Sequence, residues 1–309
     1  MAEDALSTAK AVHSIDHFAL YVPSLDEAER FFRTFGLQVG RLADALELRA
    51  ADGHRWARIL PATGKSLAYL SVNCFEGALE TIREQAAQAG ARFDVPSAHR
   101  THEGIWFHDP DGNLIQVKEG PRTMPHAKLP FASLDVPADT RGAHTRSTGQ
   151  PVRPRRLSHV LLFTPDVLAT LAFYQAALGL RLSDKSQDII AFTHAPHGCD
   201  HHLLAFAKSH AKGWHHSAWD VDKLDDVGRG AAAMQQAGYD KGWGTGRHVL
   251  GSNYFHYVQD PWGSYCEYSA NIDYISAGVS WNSGDFDPED SLSLWGPAVP
   301  ADFIVNTDT

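Results

Sequence analysis

The chain has 309 residues, room for about two ordinary domains, and its 43% hydrophobic and 21% charged content is that of a globular chain with a real core. A formal net charge of −10, with no Lys/Arg block to offset it, argues against a nucleic-acid partner. No apolar run approaches the roughly 20 residues that a bilayer span requires. The opening MAEDALSTAK carries no secretory pattern, and Cys74, Cys199 and Cys266 form no CxxC motif, so a reducing cytoplasm is expected.

Along the chain, His17–Leu37 (HFALYVPSLDEAERFFRTFGL) reads as an apolar strand broken at a Pro, then a helix with Ala28, Phe31 and Phe32 on one face, ending at a Gly. ALETIREQAAQAGA, residues 78–91, reads as a second helix. WFHDPDGNLIQVKE, Trp106–Glu119, reads as strand, DPxG turn, strand. Pro121–Pro154, rich in Pro, Arg, Thr and Ser, reads as a linker. The same order then recurs. HVLLFTPDVLATLAFYQAALGL (His159–Leu180), LDDVGRGAAAMQQAGY (residues 224–239) and HYVQDPWGSYCEYS (His256–Ser269) echo the three segments in turn. From Ser276 the composition is that of an irregular tail able to fold back over a site. The expectation is an α+β fold: two tandem domains of paired βαβββ modules, with domains at 1–125 and 154–275, a linker at 126–153 and a tail at 276–309.

Three residues of the second half carry metal-binding chemistry. His159 opens one strand, His216 enters another within KGWHHSAWDVD, and Glu267 lies on the strand after DPWGS. Two imidazoles and a carboxylate form a set that leaves positions open on a non-haem Fe(II), with Mn(II) as the alternative. A lone strand histidine is more often a hydrogen-bonded structural residue than a ligand. The repeat supplies an internal control. Aligning the DPxG turns sets Gln116 opposite Glu267, and aligning LSV (Leu70–Val72) with WDV (Trp219–Val221) sets Leu67 opposite His216; only His17 matches His159. A purely structural role would give both halves reason to keep the set. Strand alternation chooses between the adjacent histidines: His216 shares its face with Ala218 and Asp220, while His215 goes with Trp219 and Val221 and is expected to point away. Glu267 likewise goes with Tyr265 and Ser269, opposite Cys266 and Tyr268.

The repeat, the DPxG hairpins and the spacing resemble the vicinal-oxygen-chelate superfamily and, over nearly the whole chain, its two-domain type I extradiol ring-cleaving dioxygenases. The resemblance implies that each domain curls its mixed strands into a funnel with the helices outside, the metal sitting in the C-terminal funnel. It implies catalytic roles for His202 of HHLLAF, aimed at the dioxygen site, and for His248 and Tyr257 of GRHVLGSNYFHYVQDPWG, hydrogen-bonding a catecholate. The acidic residue expected shortly after the loop histidine is replaced by Gly251, Ser252 and Asn253, which leaves the partner of His248 unassigned. Phe192, Trp214, Trp243 and Phe255 are expected around the substrate ring. The implied partners are a catecholic small molecule and O2, without nucleic acid or membrane, in a homo-oligomer on general grounds. A glyoxalase-type metal-dependent isomerase or epimerase is the alternative on this scaffold, and it does not need His202, His248 and Tyr257. A ligand-sequestering protein of the bleomycin-resistance kind would lack the metal set.

Overall fold

The computed structural model describes residues 10–94, 103–132 and 136–308; the reading of the extreme N-terminus and a short part of the linker, 133–135, lie outside them. The two repeats begin with matched local chemistry. Ser24 and Asp166 stand at corresponding N-caps, each side chain accepting from the backbone N–H three residues on, at 3.3 and 3.0 Å. Gly36 and Gly179 end those helices at φ of 104° and 68°, conformations that favour glycine.

The first half runs β1 (Val12–Val22), α1 (Leu25–Phe35), β2 (Gln38–Arg41), β3 (Leu46–Arg49), β4 (Arg55–Pro61), β5 (Ser66–Cys74), α2 (Leu79–Gln88), β6 (Ile105–His108) and β7 (Leu114–Glu119). The second runs β8 (Arg156–Thr164), α3 (Val167–Leu178), β9 (Arg181–Ser186), β10 (Ile190–His194), β11 (Cys199–Asp200), β12 (Leu204–Lys208), β13 (Gly213–Asp220), α4 (Leu224–Gln236), β14 (Gly242–Arg247), β15 (Tyr254–Gln259), β16 (Tyr265–Ala270) and β17 (Tyr274–Ile275), followed by the short α5 (Pro288–Ser291). The sheets are mixed, in the orders β2-β3-β4-β1-β5-β7-β6 and β14-β15-β16-β13-β8-β12-β10-β9. Thus β8, β13 and β16 repeat β1, β5 and β7. In the first half an isolated bridge between Arg92 and His108 lies beside β6, where the second half has the edge strand β14.

The helices pack across the halves, α1 on α4 and α2 on α3, and one continuous core joins the two sheets. Phe18 of β1 meets Trp214 of β13 at 4.7 Å between ring centroids. Phe35 stacks on Tyr268 at 4.0 Å, and the Tyr268 hydroxyl donates to the Phe35 carbonyl at 2.8 Å. Buried aromatic pairs of this kind add about 0.5–1.5 kcal/mol beyond their area, so the interface between halves is itself core. The tail crosses the open face of the second sheet. Its Asp308 accepts from the Trp214 backbone N–H at 2.8 Å and pairs with the buried Lys65 of the first half. Among the described residues no helix is long and apolar enough to cross a membrane.

Candidate metal centre and cavity

His159, His216 and Glu267 are brought together by three adjacent strands. In the ladder, Ala218 of β13 stands opposite both His159 of β8 and Glu267 of β16, and His216 lies two residues before it. The Nε2 atoms of His159 and His216 lie 3.4 and 3.5 Å from Glu267 Oε2. All three residues are buried, and His216 Nε2 and Glu267 Oε2 have no hydrogen-bond partner among the described residues. Buried, unpaired polar atoms are costly. A divalent cation bonded at about 2.0–2.2 Å to each donor would satisfy them, so the residues present suit a metal ion.

The neighbours orient the donors. Arg156 pairs with Asp200 at 2.7 Å, and Ser158 Oγ donates to the same carboxylate at 3.1 Å. With its proton so used, Ser158 accepts from His159 Nδ1 at 3.2 Å, leaving the Nε2 lone pair free. Asn253 Nδ2 donates to Glu267 Oε1 at 2.9 Å, holding the other carboxylate oxygen toward the imidazoles. Burial first, and the neighbouring His215 and His159 next, push His216 well below the ordinary imidazole range. A neutral imidazole is the form that ligates.

The fate of His215 corrects the alternation argument. The pairing of β13 with β8 slips between Trp214 and His216, so His215 is the extra residue of a β-bulge. Both histidines therefore face the interior. His215 is buried, its Nε2 donates to the Phe303 carbonyl at 2.8 Å, and its Nδ1 sits 2.6 Å from His216 Nδ1. Since His215 carries its hydrogen on Nε2, its Nδ1 accepts from His216, which again frees the ligating Nε2. The internal alignment also needs correction. The same slip occurs in the first half between Ala19 and Leu20, and Ser71 there stands opposite His17 and Gln116 as Ala218 does opposite His159 and Glu267. Tyr69, not Leu67, thus occupies the place of His216. It hydrogen-bonds His17 at 2.9 Å, and Ala68, Tyr69, Trp106 and Leu114 pack together there.

His202 and the His248–Tyr257 pair surround the same point. The His202 ring lies 3.9 Å from that of His159, and His216 lies 5.1 Å from Tyr257 between centroids. His248 Nδ1 donates to the Leu292 carbonyl of the tail at 2.7 Å, so its Nε2 accepts from the Tyr257 hydroxyl at 2.9 Å. Burial, then the nearby Glu267 carboxylate, push the Tyr257 phenol well above its usual range, and burial lowers His248 and His202. These residues line a cavity of about 360 Å³ with Leu161, Phe192, Leu250, Leu292 and Phe303. Of the four aromatics expected around a substrate ring only Phe192 lines it. Trp214 turns into the core on the far side of the bulge, while Phe255 stacks on His248 and Trp243 on Tyr257, behind the cavity wall. Sequence reasoning missed His215, Asn253, His201 and the tail residues. The HH doublets and the departure after His248 were the only available signals.

Residues 14–117 and 156–268 match the family model described as Glyoxalase/Bleomycin resistance protein/Dioxygenase superfamily, and the chain belongs to that superfamily. Within it, the chain is 60% identical over 298 residues to Metapyrocatechase 2 of Cupriavidus necator, covering 96% of this chain and 93% of that protein. It is 28% identical to the Iron-dependent extradiol dioxygenase of Rhodococcus jostii, over 86% of this chain and 91% of the other. The Mn(II)-bound glyoxalase from Novosphingobium aromaticivorans shares the fold, with a TM-score of 0.76 at 24% identity over 94% of both chains. Both the superfamily and the tandem two-domain α+β architecture agree with the sequence reading.

Proposed function

We propose that the chain is an extradiol ring-cleaving dioxygenase that opens a catecholic ring with O2 at a non-haem Fe(II) held by His159, His216 and Glu267. One observation carries the reading: two imidazole nitrogens and a carboxylate oxygen, two of the three without a hydrogen-bond partner among the described residues, converge at the base of an apolar cavity. The metal, when bound, supplies adjacent open positions for the catechol oxygens and O2 and passes electron density between them. The two-histidine, one-carboxylate donor set suits Fe(II), and Mn(II) fits the same donors. The 60% identical relative bears a metapyrocatechase name, which supports the ring-cleaving chemistry.

The chain supplies the rest. Phe192, Leu161 and Leu250 give the aromatic ring an apolar seat, and a volume of about 360 Å³ suits a catechol with a modest substituent. The Tyr257 hydroxyl, held protonated, and His248 form a pair beside the substrate oxygens. His202, neutral and buried on the other side of His159, is placed to accept the catechol proton and return it as the ring opens. The first domain (1–125) acts as scaffold, its funnel plugged by Tyr69 and Trp106; residues 126–153 link it to the catalytic domain (154–275), and the tail (276–309) closes the cavity. The three free, buried cysteines suit a cytoplasmic setting.

The test is oxygen uptake by the full chain, loaded anaerobically with Fe(II) or Mn(II) and given catechol or a substituted catechol, with the yellow ring-opened product followed by absorbance. Uptake with product establishes the reaction, and the two loadings rank the metals. If the protein binds iron yet consumes no oxygen with any catechol, the reading fails and isomerase chemistry on this scaffold takes its place.

A further inference from the structure

We propose that Asp184 and His201 are positioning residues that decide which nitrogen of His202 carries its hydrogen, and so what that ring presents to the substrate, through a hydrogen-bond chain running carboxylate to His201 to His202. The inference rests on the reading of His202 as the residue that exchanges a proton with the substrate.

Asp184 of β9 is buried, and both its oxygens are committed. Oδ1 accepts from the Gly284 backbone N–H of the tail at 2.6 Å, and Oδ2 lies 2.7 Å from His201 Nε2. A carboxylate only accepts, so His201 carries its hydrogen on Nε2. In neutral His201 the lone pair is then on Nδ1, which faces His202 Nδ1 at 3.0 Å. His202 must donate there, and its Nε2 presents a lone pair to the cavity. The arrangement is rigid. His201 is fully buried between Trp281 and Phe192, and its carbonyl accepts from Ser183 Oγ. The loop of Gly251 closes over the two rings so tightly that a Cβ there would lie 3.1 Å from His202 Cε1 and 3.4 Å from His201 Nδ1. Among the described residues Asp184 has no Lys or Arg partner, so His201 is what its buried charge serves. An acceptor at Nε2 is what a proton-taking residue needs; the other tautomer would present a hydrogen where a proton must arrive.

Asp184→Asn reverses the logic at constant shape. The Gly284 N–H still requires an acceptor, which turns the amide oxygen toward it and the amide NH2 toward His201 Nε2. His201 Nε2 then accepts, its hydrogen moves to Nδ1, His202 Nδ1 accepts, and the His202 hydrogen moves to Nε2. In serine proteases the same change of Asp to Asn costs about 10⁴ in turnover through the wrong tautomer. Here kcat should fall at least about 10²-fold while KM for catechol stays within about threefold.

The decisive readout is independent of turnover. The full chain, labelled with ¹⁵N-histidine and loaded with diamagnetic Zn(II), should show His202 hydrogenated at Nδ1, its signals assigned by their loss in His202→Gln. In Asp184→Asn they should switch to the Nε2–H form. Should Asp184→Asn fail to fold, His201→Gln and His201→Leu make the same test. Glutamine can donate to Asp184 and accept from His202, so it should keep kcat within about tenfold of the parent, whereas leucine should fall by at least about 10²-fold. An unchanged tautomer in Asp184→Asn, or equal losses in the glutamine and leucine variants, overturns the proposal. Full turnover by His202→Gln would overturn the role of His202 itself, a failure distinguishable because the tautomer readings would be unaffected.

Discussion

His215 offers the sharpest test of how the metal ligands are held. Replacing it with alanine removes the acceptor for the His216 Nδ1 hydrogen, 2.6 Å away, at a buried position. A buried donor left without a partner costs about 1–3 kcal/mol. Loss of an orienting partner behind a metal-bound histidine weakens metal affinity by about 10–100-fold, or about 1.4–2.8 kcal/mol, so two independent routes give the same size. The Phe303 carbonyl loses its donor as well, which loosens the tail. The assay is competition for Fe(II) under anaerobic conditions between the protein and a chelator of known affinity, run on the parent, His215→Ala, His215→Gln and His216→Ala. His216→Ala should retain no metal at stoichiometric iron. His215→Ala should sit 10–100-fold below the parent, and His215→Gln, whose amide oxygen can accept in place of Nδ1, should recover part of the difference. Equal affinities for His215→Ala and the parent would refute the bulge-based assignment.

Other consequences are equally open to measurement. Asn253→Ala strips a 2.9 Å donor from Glu267 and should weaken metal binding about tenfold in the same competition; unchanged binding would show that the strand alone fixes the carboxylate. Gly251→Ala adds a methyl 3.1 Å from His202 at a φ of 92°, and should lower stability by at least about 1–2 kcal/mol in urea titrations while reducing kcat. Phe303→Ala empties a ring position packed on Trp243, Tyr257 and Tyr265 and should raise KM for catechol and speed proteolytic nicking of the tail, with a stability loss of up to about 3–5 kcal/mol. Burial holds His13, His194 and His256 at about 4 in the folded chain, below the 6.5 of an exposed imidazole. The unfolded chain therefore binds more protons between those values. The stability these groups contribute is full above about pH 6.5 and lost as pH falls toward 4, so the urea midpoint should drop through that window. A flat midpoint would contradict it.

The parts legible in the sequence were those governed by local rules. Ser24 and Asp166 as caps, Gly36 and Gly179 as stops, and the two DPxG turns act over a few residues, so the repeat could be read directly. The placing of Glu267 followed from simple alternation because β16 runs without interruption. His215 was lost to the bulge. One inserted residue puts neighbours on the same face, and nothing in KGWHHSAWDVD marks where the slip falls. The internal alignment was displaced by two residues, from Tyr69 to Leu67, because LSV and WDV look alike as apolar strand ends whereas the ladders match Ser71 to Ala218. The partner of His248 was illegible for another reason: it is the Leu292 carbonyl, 44 residues away, and backbone acceptors leave no mark in side-chain identity. Trp214, Trp243 and Phe255 were assigned to the substrate because aromatic residues look alike in a sequence, whereas their burial is divided between core and cavity wall.

Leu292 and Phe303 each act twice from one position. Their carbonyl oxygens hold His248 and His215, while their side chains form part of the cavity wall. The two duties are separable wherever the new side chain keeps the tail packed, because every amino acid supplies the carbonyl and only the side chain varies. Evolution, or an engineer, can therefore reshape the wall at either position to admit a bulkier ring without disturbing the protonation pattern beneath it. Substrate range can drift at these two sites while the chemistry is inherited intact.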